Sequence, residues 1–460
     1  WEDGAQISPE QADVVSAAIE KVDIFTGVKL VSFEEGKKAG LIQIIGQEVD
    51  EAYMKVVLAE RIRPNAIPDV ADDFKVVYTP FHGTGRILVP EVLKRAGLKH
   101  LYCVPEQMVP DGRFPTVKSP NPEDKAGFAL AMKIAEEIGC DLLIGTDPDA
   151  DRAGVIVRAS NGEFVPLTGN QIGVMLLSYI IEARKLENKL PAKAAAVKSI
   201  VSTKLADKIC EANGVTMINV LTGFKFIGEK IKEFEETGSH TYIFGFEESY
   251  GYLSGTYARD KDAVCAAMLI TEMAAFYRAR GKSLYEVLCG IFEKYGYYSE
   301  GIGTIVLPGL DGLAKMSSLM DGLRQNPPKE IAGVKVASVA DYKTGLITDA
   351  DGKTAPTGLP KSNVLFYTLE NGDSTVIRPS GTEPKIKLYY LVSDKTASAA
   401  EEKRNAYRAA FEVHNQGGED LAVQLIQSVL VYFQQIQGKT GHIVGDPAIV
   451  FYLGKITDAL

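Results

Sequence analysis

Residues 140–157 carry the sequence CDLLIGTDPDADRAGVIV, which decides the fold class of the chain. The largely apolar segment 140–144 predicts a buried strand, an acidic turn follows it, and the apolar run 154–157 predicts a second strand. Runs of this kind alternate with amphipathic helices over much of the chain, which is typical of βαβ units and a mainly parallel sheet. The sequence therefore predicts an α/β protein.

The alternation extends in both directions from this stretch. Before it, we expect strands at 74–78 and 100–104 and a helix at 124–138. After residue 162, the expected elements are a helix at 169–185, a strand at 194–197, a helix at 203–212, a strand at 216–220, a helix at 225–235, a strand at 241–244 and a helix at 261–280. These patterns predict tandem three-layer α/β modules with mixed, largely parallel sheets.

The two ends of the chain have a different character. Ser8 and Gln11 form a capping-box pattern that predicts a helix to about residue 22, and short strands and turns are expected at 23–47 before a helix at 49–62. After residue 300 strands dominate and a helix is expected at 397–412, which predicts a smaller C-terminal α+β domain. Its expected strands are 303–307, 334–339, 364–369, 374–378 and 385–392.

The composition argues against several classes of protein. The chain has 460 residues, with 50 Lys and Arg against 60 Asp and Glu, so its formal net charge is −10. An acidic chain without a basic run is a poor candidate for nucleic-acid binding, because phosphate neutralisation supplies most of that affinity. No apolar run approaches the roughly 20 residues of a membrane span. The five cysteines include no C-x-x-C pair, which favours free thiols in a reducing cytoplasm.

Three aspartates, Asp147, Asp149 and Asp151, alternate directly after the strand predicted at 140–144, and Arg152 comes next. In extended backbone such side chains point the same way, so we expect three carboxylates that repel one another unless a cation lies between them. Oxygen ligands suit a hard cation such as Mg²⁺. An EF-hand is excluded, since Arg152 and Arg158 stand where that loop needs Gly and Glu. The alternative is a solvated acidic turn.

Residues 378–384, RPSGTEP, lie between two predicted strands. Arg378 offers a guanidinium, Ser380 and Thr382 offer hydroxyls, and Gly381 lets backbone N–H groups approach a ligand closely. This set is suited to binding an anion. The alternative is a polar turn with an exposed arginine.

Other strand ends carry weaker signals. Glu247 and Ser249 follow the predicted strand 241–244 and could hydrogen-bond sugar hydroxyls, although a charged loop entering a helix is the alternative. Thr222 and Gly223 form a strand-to-helix turn whose N–H groups favour an anion. Lys198, at the end of the strand predicted at 194–197, is similarly placed, but such lysines are usually solvated.

Taken in order, these motifs resemble those of the α-D-phosphohexomutase superfamily, which contains the phosphoglucomutases and phosphomannomutases. The resemblance extends over about residues 1–412, and the sequence after the sugar loop is most similar to the phosphoglucomutase-2-like branch. Its motifs are TDPDADR at 146–152 (metal loop), GFEES at 245–249 (sugar loop), RPSGTEP at 378–384 (phosphate loop), and two second-domain segments at 79–83 and 110–115.

The resemblance implies phosphoryl transfer from a phosphoserine to a hexose 1- or 6-phosphate, with Mg²⁺ as cofactor and glucose 1,6-bisphosphate as intermediate and activator. Glucose phosphates are the expected substrates, and mannose and pentose phosphates are the alternatives. The implied metal ligands are Asp147, Asp149 and Asp151; the implied catalytic residues are Arg152, Lys198 and Lys261; and the implied substrate-binding residues are Thr222, Gly223, Glu247, Ser249, Arg378, Ser380, Gly381 and Thr382.

The resemblance also implies a division into domains. We expect a remnant of domain I at 1–47, domain II at 48–162, domain III at 163–298, domain IV at 299–416 and an unassigned tail at 417–460. The chain begins at Trp1 without Met, and no serine loop of the T-A-S-H-N-P type is recognised in it. We therefore expect the phosphoserine to lie upstream of Trp1 and the 460-residue chain to be inactive alone.

A hypothesis from another class is a non-catalytic phosphosugar-binding protein that lacks the nucleophile. A serine loop upstream of Trp1 would discriminate between the two. A Mg²⁺-dependent phosphatase is disfavoured, because it explains neither the sugar loop nor the phosphate loop. For partners we expect a small-molecule sugar phosphate, with neither nucleic acid nor membrane, in a cytoplasmic monomer or homodimer.

Overall fold

The computed structural model describes residues 4–140, 142–309, 311–381 and 383–411. The chain divides into two compact units, the first ending at Tyr298 and the second beginning at Ser299. No helix among the described residues is long and apolar enough to cross a membrane. The tail expected at 417–460 lies outside the described residues.

The first unit begins with four helices. Ser8 and Gln11 form the expected capping box, with the Gln11 N–H donating to Ser8 Oγ at 3.3 Å. The short strands expected at 23–47 are wrong: no strand is described there, and Phe25 and Leu30 are 89% and 91% exposed without a partner strand to pair with. The helices are α1 (Pro9–Ile19), α2 (Phe33–Lys38), α3 (Gln47–Ala59) and α4 (Ala66–Asp69).

A five-stranded mixed sheet follows, in the order β2-β1-β3-β4-β5. β1 is parallel to β2 and β3, whereas β4 is antiparallel to both of its neighbours, β3 and β5. Every residue of β3 is buried, as the apolar run predicts. The elements are β1 (Lys75–Thr79), α5 (Gly85–Arg95), β2 (His100–Cys103), α6 (Ala129–Ile138, preceded by a 3₁₀ turn), β3 (Leu142–Thr146), β4 (Ala153–Arg158) and β5 (Phe164–Leu167).

A second sheet of four strands completes the first unit, in the order β7-β6-β8-β9. β6 is parallel to β7 and β8, and β9 is antiparallel to β8. The elements are α7 (Gly169–Leu186), β6 (Ala194–Ser199), α8 (Leu205–Asn213), β7 (Thr216–Val220), α9 (Phe224–Thr237), β8 (Thr241–Phe246), β9 (Tyr252–Leu253), α10 (Ala263–Arg278) and α11 (Leu284–Tyr295).

Helix α10 explains why the two sheets form one unit. All of its residues from Ala263 to Tyr277 are buried, so it has no solvent-facing side. It packs against α4 and α5 from the first sheet's side and against α7 and β9 from the second. One apolar core therefore contains Ile144 of β3 together with Phe244 of β8.

The second unit is the predicted α+β domain. Its sheet has the order β10-β17-β16-β15-β12-β13-β14, with antiparallel pairing throughout β12 to β17. The sequence pattern missed α12 and the strands β13 and β14. The elements are β10 (Tyr297–Val306, which crosses the division), α12 (Gly312–Gln325), β11 (Glu330–Ile331), β12 (Val334–Asp341), β13 (Leu346–Asp349), β14 (Thr354–Pro356), β15 (Leu365–Leu369), β16 (Ser374–Pro379), β17 (Lys385–Asp394) and α13 (Ala397–Phe411).

Phe246 at the end of β8 supplies a test of this core. Its side chain is fully buried and lies against Gly173 of α7, where an added Cβ would be 2.3 Å from the ring. We expect Phe246→Ala to lower the free energy of unfolding by about 3–5 kcal/mol, since it removes a ring and leaves a cavity. A denaturant titration followed by circular dichroism measures the loss. The matched substitution at exposed Phe25 should change stability by less than about 0.5 kcal/mol; equal effects would contradict the described core.

Candidate active site

The acidic turn between β3 and β4 brings its three carboxylates together. One oxygen from each of Asp147, Asp149 and Asp151 lies within 4.8 Å of the others. The expected extended backbone is wrong, because residues 148–150 form a turn in which Ala150 has a φ of 59°. The side chains converge because the chain folds back, with the Ala150 N–H donating to the Asp147 carbonyl at 3.1 Å. This arrangement offers a ligand set for a hard cation.

Asp147 is the most buried of the three carboxylates. Its Oδ1 accepts hydrogen bonds from the backbone N–H groups of Asp151 at 3.1 Å and Arg152 at 2.9 Å. Burial nevertheless raises the pKa of Asp147 to about 7, and the neighbouring charges of Asp151 and Asp149 add to the rise. The turn therefore carries negative charge that the hydrogen bonds to Asp147 offset only in part.

Two cationic side chains lie against the same carboxylates. Lys261 Nζ is 2.8 Å from Asp151 Oδ2 and 3.1 Å from Asp260 Oδ1. Burial favours loss of the Lys261 proton, but these two carboxylates outweigh it, so the pKa of Lys261 is raised. Arg152 Nε lies 3.8 Å from Asp147 and 3.7 Å from Asp151, and this buried atom has no hydrogen-bond partner among the described residues. A guanidinium and an ammonium thus lie at the edge of the carboxylate cluster.

The loop after β1 holds the acidic turn in place through hydrogen bonds. Thr84 donates to the Pro148 carbonyl through its backbone N–H at 2.7 Å and its hydroxyl at 3.0 Å. At Gly83 an added Cβ would lie 2.4 Å from the Pro148 Cα, so only glycine allows this approach. The segment from His82 to Gly85 therefore holds the acidic turn in place.

The second polar loop, between β8 and β9, holds two buried glutamates. Glu247 Oε1 accepts a hydrogen bond from the Gly223 N–H at 2.7 Å, which joins this loop to the β7–α9 turn. Glu248 Oε2 accepts from the Ser199 hydroxyl at 2.9 Å and from the Ser202 hydroxyl at 3.4 Å. These hydrogen bonds hold both carboxylates at the end of the second sheet.

The acidic turn and the glutamate loop are bonded directly to each other. Arg152 and Gly251 form an antiparallel bridge, and the Ala153 N–H donates to the Tyr250 carbonyl at 3.1 Å. A larger residue in place of Gly251 would displace the Lys261 side chain, because an added Cβ would lie 2.3 Å from Lys261 Cδ. The first unit thus brings together Asp147, Asp149, Asp151, Arg152 and Lys261 beside the loop that carries Glu247 and Ser249.

Lys198 lies within β6 and is almost fully buried, at 2% exposure, not solvated as strand-end lysines usually are. Its Nζ is 3.1 Å from Asp207 Oδ2 and contacts the Ser202 carbonyl at 3.4 Å. No pattern in the sequence marked Asp207, Ser199 or Ser202 as partners, because their contacts arise only when α8 and the β6–α8 turn fold against the sheet. Lys198 is therefore held by its partner beside the glutamate loop.

The RPSGTEP segment forms the turn between β16 and β17 in the second unit. The Ser380 N–H donates to the Lys385 carbonyl at 2.8 Å, and Gly381 is exposed. Arg378 lies directly opposite Lys387 in the antiparallel ladder. Like charges at such positions repel each other, so an anion between them would be stabilising. Thr382 lies outside the described residues.

The position of Lys261 gives a prediction about metal binding. Removing its charge while keeping its length, as in Lys261→Met, should raise the affinity of the acidic turn for Mg²⁺ by about fivefold, since a unit charge a few Å from a partly solvated site contributes on the order of 1 kcal/mol. Isothermal titration calorimetry measures this affinity. Lys225→Met, which removes a lysine that has no carboxylate partner in the described structure, is the matched control. Unchanged Mg²⁺ affinity in Lys261→Met would separate Lys261 from the metal site.

Comparison with known proteins identifies the family. Residues 51–162 match the family model for phosphoglucomutase/phosphomannomutase alpha/beta/alpha domain II, and residues 168–295 match that for domain III. The phosphoglucomutase of Staphylococcus aureus strain MRSA252 is 37% identical over 407 residues, covering 88% of this chain and 71% of that protein. The enzyme of strain USA300 is 36% identical over the same length.

Solved structures share the fold. A Thermus thermophilus protein assigned as a phosphomannomutase aligns with a TM-score of 0.57 at 18% identity, covering 88% of this chain and 72% of that one. The open form of the Paramecium phosphoglucomutase pp63/parafusin gives a TM-score of 0.54 at 17% identity, with coverages of 85% and 63%. The homologues named as phosphoglucomutases support a hexose phosphate mutase activity. The chain belongs to the phosphoglucomutase/phosphomannomutase family of the α-D-phosphohexomutase superfamily.

Proposed function

We propose that this protein interconverts hexose 1-phosphates and hexose 6-phosphates, with glucose phosphates as its preferred substrates. The observation that carries the proposal is the convergence of Asp147, Asp149 and Asp151 beside Lys261 and Arg152, at the end of a buried strand. The relatives at 36–37% identity are named phosphoglucomutases, which favours glucose over mannose or pentose phosphates.

The three carboxylates fit Mg²⁺ as the cofactor. One oxygen from each lies within 4.8 Å of the others, close enough together to share one ion. Carboxylates beside a phosphate are the usual setting for this cation. When bound, Mg²⁺ would offset the charge of the transferring phosphoryl group.

The reaction needs a phosphoryl group to pass from a phosphoserine to the free hydroxyl of the sugar phosphate. The hydroxyl loses its proton as its oxygen bonds to phosphorus, and the serine oxygen leaves. In the bisphosphate that forms, the other phosphoryl group then returns to the serine. Lys261 and Arg152 would contact the phosphoryl oxygens, because both cations already lie at the carboxylate cluster.

The glutamate loop would hold the sugar. Ser249 is half-buried beside Glu247, whose carboxylate is anchored by the Gly223 N–H. Thr222, just before α9, would add a hydroxyl donor, and Gly223 would act through the N–H that holds the Glu247 carboxylate. Lys198 would act through the Ser202 segment that positions Glu248. Hydrogen bonds from such a ring of side chains can hold hydroxyls of either substrate orientation, as a mutase requires.

The turn between β16 and β17 would bind the phosphate that does not react. Arg378 and Lys387 lie opposite each other, and Ser380 and Gly381 follow in the same turn. Thr382 is a further candidate on the sequence alone. A guanidinium binds phosphate with two parallel hydrogen bonds, which gives both affinity and orientation.

Asp149→Asn tests the metal site and the activity together. With the protein expressed from its complete coding sequence, a coupled assay should show Mg²⁺-dependent conversion of glucose 1-phosphate to glucose 6-phosphate. The variant should lower kcat/KM by about 100-fold or more, because it removes a charged ligand from the cluster. Asp351→Asn, at an exposed turn, is the matched control and should leave the rate unchanged.

The same assay, run with mannose 1-phosphate and ribose 1-phosphate, identifies the substrate. A higher kcat/KM for either would replace glucose in the proposal. Binding of glucose 6-phosphate without turnover of any of the three would instead support a phosphosugar-binding protein and contradict the mutase.

Arg378→Gln tests the phosphate loop. Loss of a charged hydrogen-bond donor to phosphate costs about 2 kcal/mol, so kcat/KM for glucose 1-phosphate should fall roughly 30-fold. Steady-state kinetics measure the change, and Arg404→Gln, which removes an arginine of α13 that pairs with Glu401 at 3.0 Å, serves as the control. An unchanged kcat/KM would remove Arg378 from the substrate site.

A further inference from the structure

Asp262 is a buried aspartate that directly follows Lys261 in the chain. It is the N-cap of α10, the helix whose residues from Ala263 to Tyr277 are all buried. The first four N–H groups of a helix have no acceptor within the helix, so the place where a buried helix begins depends on the groups that bind them. At α10 the carboxylate of Asp262 binds two of these four groups.

Three of the four N–H groups are bound at the cap itself. Asp262 Oδ1 accepts hydrogen bonds from Val264 N–H at 2.8 Å and from Cys265 N–H at 3.0 Å. The N–H of Asp262 donates to the Tyr252 carbonyl of β9 at 3.1 Å. The cap therefore joins the start of α10 to the second sheet.

The fourth N–H group contacts the acidic turn. Ala263 N–H donates to the Ala150 carbonyl at 3.0 Å, and Ala150 is the residue whose φ of 59° lets the turn fold back. Lys261, one residue before the cap, binds Asp151 Oδ2 through its ammonium at 2.8 Å. The start of α10 thus contacts the turn twice, once through a backbone hydrogen bond and once through an ion pair.

The second oxygen of Asp262 is held by two phenols. Tyr53 of α3 donates to Oδ2 at 2.7 Å, and Tyr257, in the segment between β9 and α10, donates to it at 2.5 Å. The two rings contact each other edge to face, with their centroids 6.4 Å apart. Each oxygen of the carboxylate accepts two hydrogen bonds, so the orientation of the Asp262 side chain is fixed from both sides.

We propose that Asp262 is a positioning residue for the acidic turn. By capping α10 it sets the point at which the helix begins, and with that point the positions of the Ala263 N–H and the Lys261 ammonium. The three carboxylates of the turn are then held together by a residue that is not one of them. The consequence for catalysis rests on the proposed mutase activity, whereas the consequence for the geometry of the turn does not.

Hydrogen exchange, measured by mass spectrometry on the full 460-residue chain, tests this link. The amides of Ala150, Asp151 and Arg152 all bond within the turn and report on its opening. Asp262→Ala should speed their exchange by about fivefold or more, which is the order of effect that loss of an N-cap has on local stability. Asp262→Asn keeps an oxygen for the cap and removes the charge, so exchange in the turn should stay close to that of the unmodified chain.

A second helix cap provides the matched control. Ser283 caps α11 by accepting a hydrogen bond from the Glu286 N–H at 3.2 Å, so Ser283→Ala should speed exchange at the start of α11 and leave the turn unchanged. Asp262→Gly loses the same oxygens at a smaller cost to the helix, and it gives the same test if the alanine variant does not fold. Faster exchange at the start of α10 with no change in the turn would overturn the proposal. So would an acceleration in Asp262→Asn equal to that in Asp262→Ala.

Magnesium binding separates this inference from the proposed function. In isothermal titration calorimetry with Mg²⁺ alone, Asp262→Ala should weaken binding by about fivefold, because the ligand oxygens are no longer preorganised. Asp262→Asn and Ser283→Ala should bind Mg²⁺ as the unmodified chain does. In the protein expressed from its complete coding sequence, Asp262→Ala should raise the Mg²⁺ concentration for half-maximal rate and leave the KM for glucose 1-phosphate unchanged. Absence of mutase activity together with the expected exchange pattern would contradict the proposed function and support the role of Asp262.

Discussion

Electrostatic repulsion among Asp147, Asp149 and Asp151 is the constraint on which the rest of the first unit depends. Three carboxylates within 4.8 Å cannot all stay charged unless positive groups or N–H donors offset them. The structure supplies two backbone N–H groups, the Arg152 guanidinium and the Lys261 ammonium. These groups are themselves held in place by neighbouring residues, and those residues belong to both sheets of the first unit.

The sequence pattern correctly predicted which carboxylates lie together, but it predicted the wrong backbone conformation for them. Alternating aspartates after a strand predicted side chains that converge, and they do, but through a turn in which Ala150 takes a left-handed conformation. The spacing of the aspartates predicts that their carboxylates lie close together. It does not specify the φ angles that bring them together. The short strands expected at 23–47 failed for a different reason, because a short segment forms a stable strand only where a neighbouring strand pairs with it.

The partners of the site residues were beyond reach of the sequence alone. Lys198 is neutralised by Asp207, and Gly223 donates to Glu247 across 24 positions of the chain. Such contacts depend on the order of the strands in each sheet. The residue pattern of a single sequence does not specify that order. Helix α10 differs, because its apolar residues cover every face and the sequence predicted the helix itself. The same pattern gave no indication that both sheets pack on this helix.

The bridge between Arg152 and Gly251 has a consequence for how such proteins change over generations. Because the acidic turn and the glutamate loop share hydrogen bonds, and Gly251 leaves room for Lys261, neither loop can be remodelled without disturbing the other. Substitutions in the two loops should therefore be epistatic, with combined effects that differ from the sum of the single ones. A change in either loop would then be tolerated only together with a compensating change in the other.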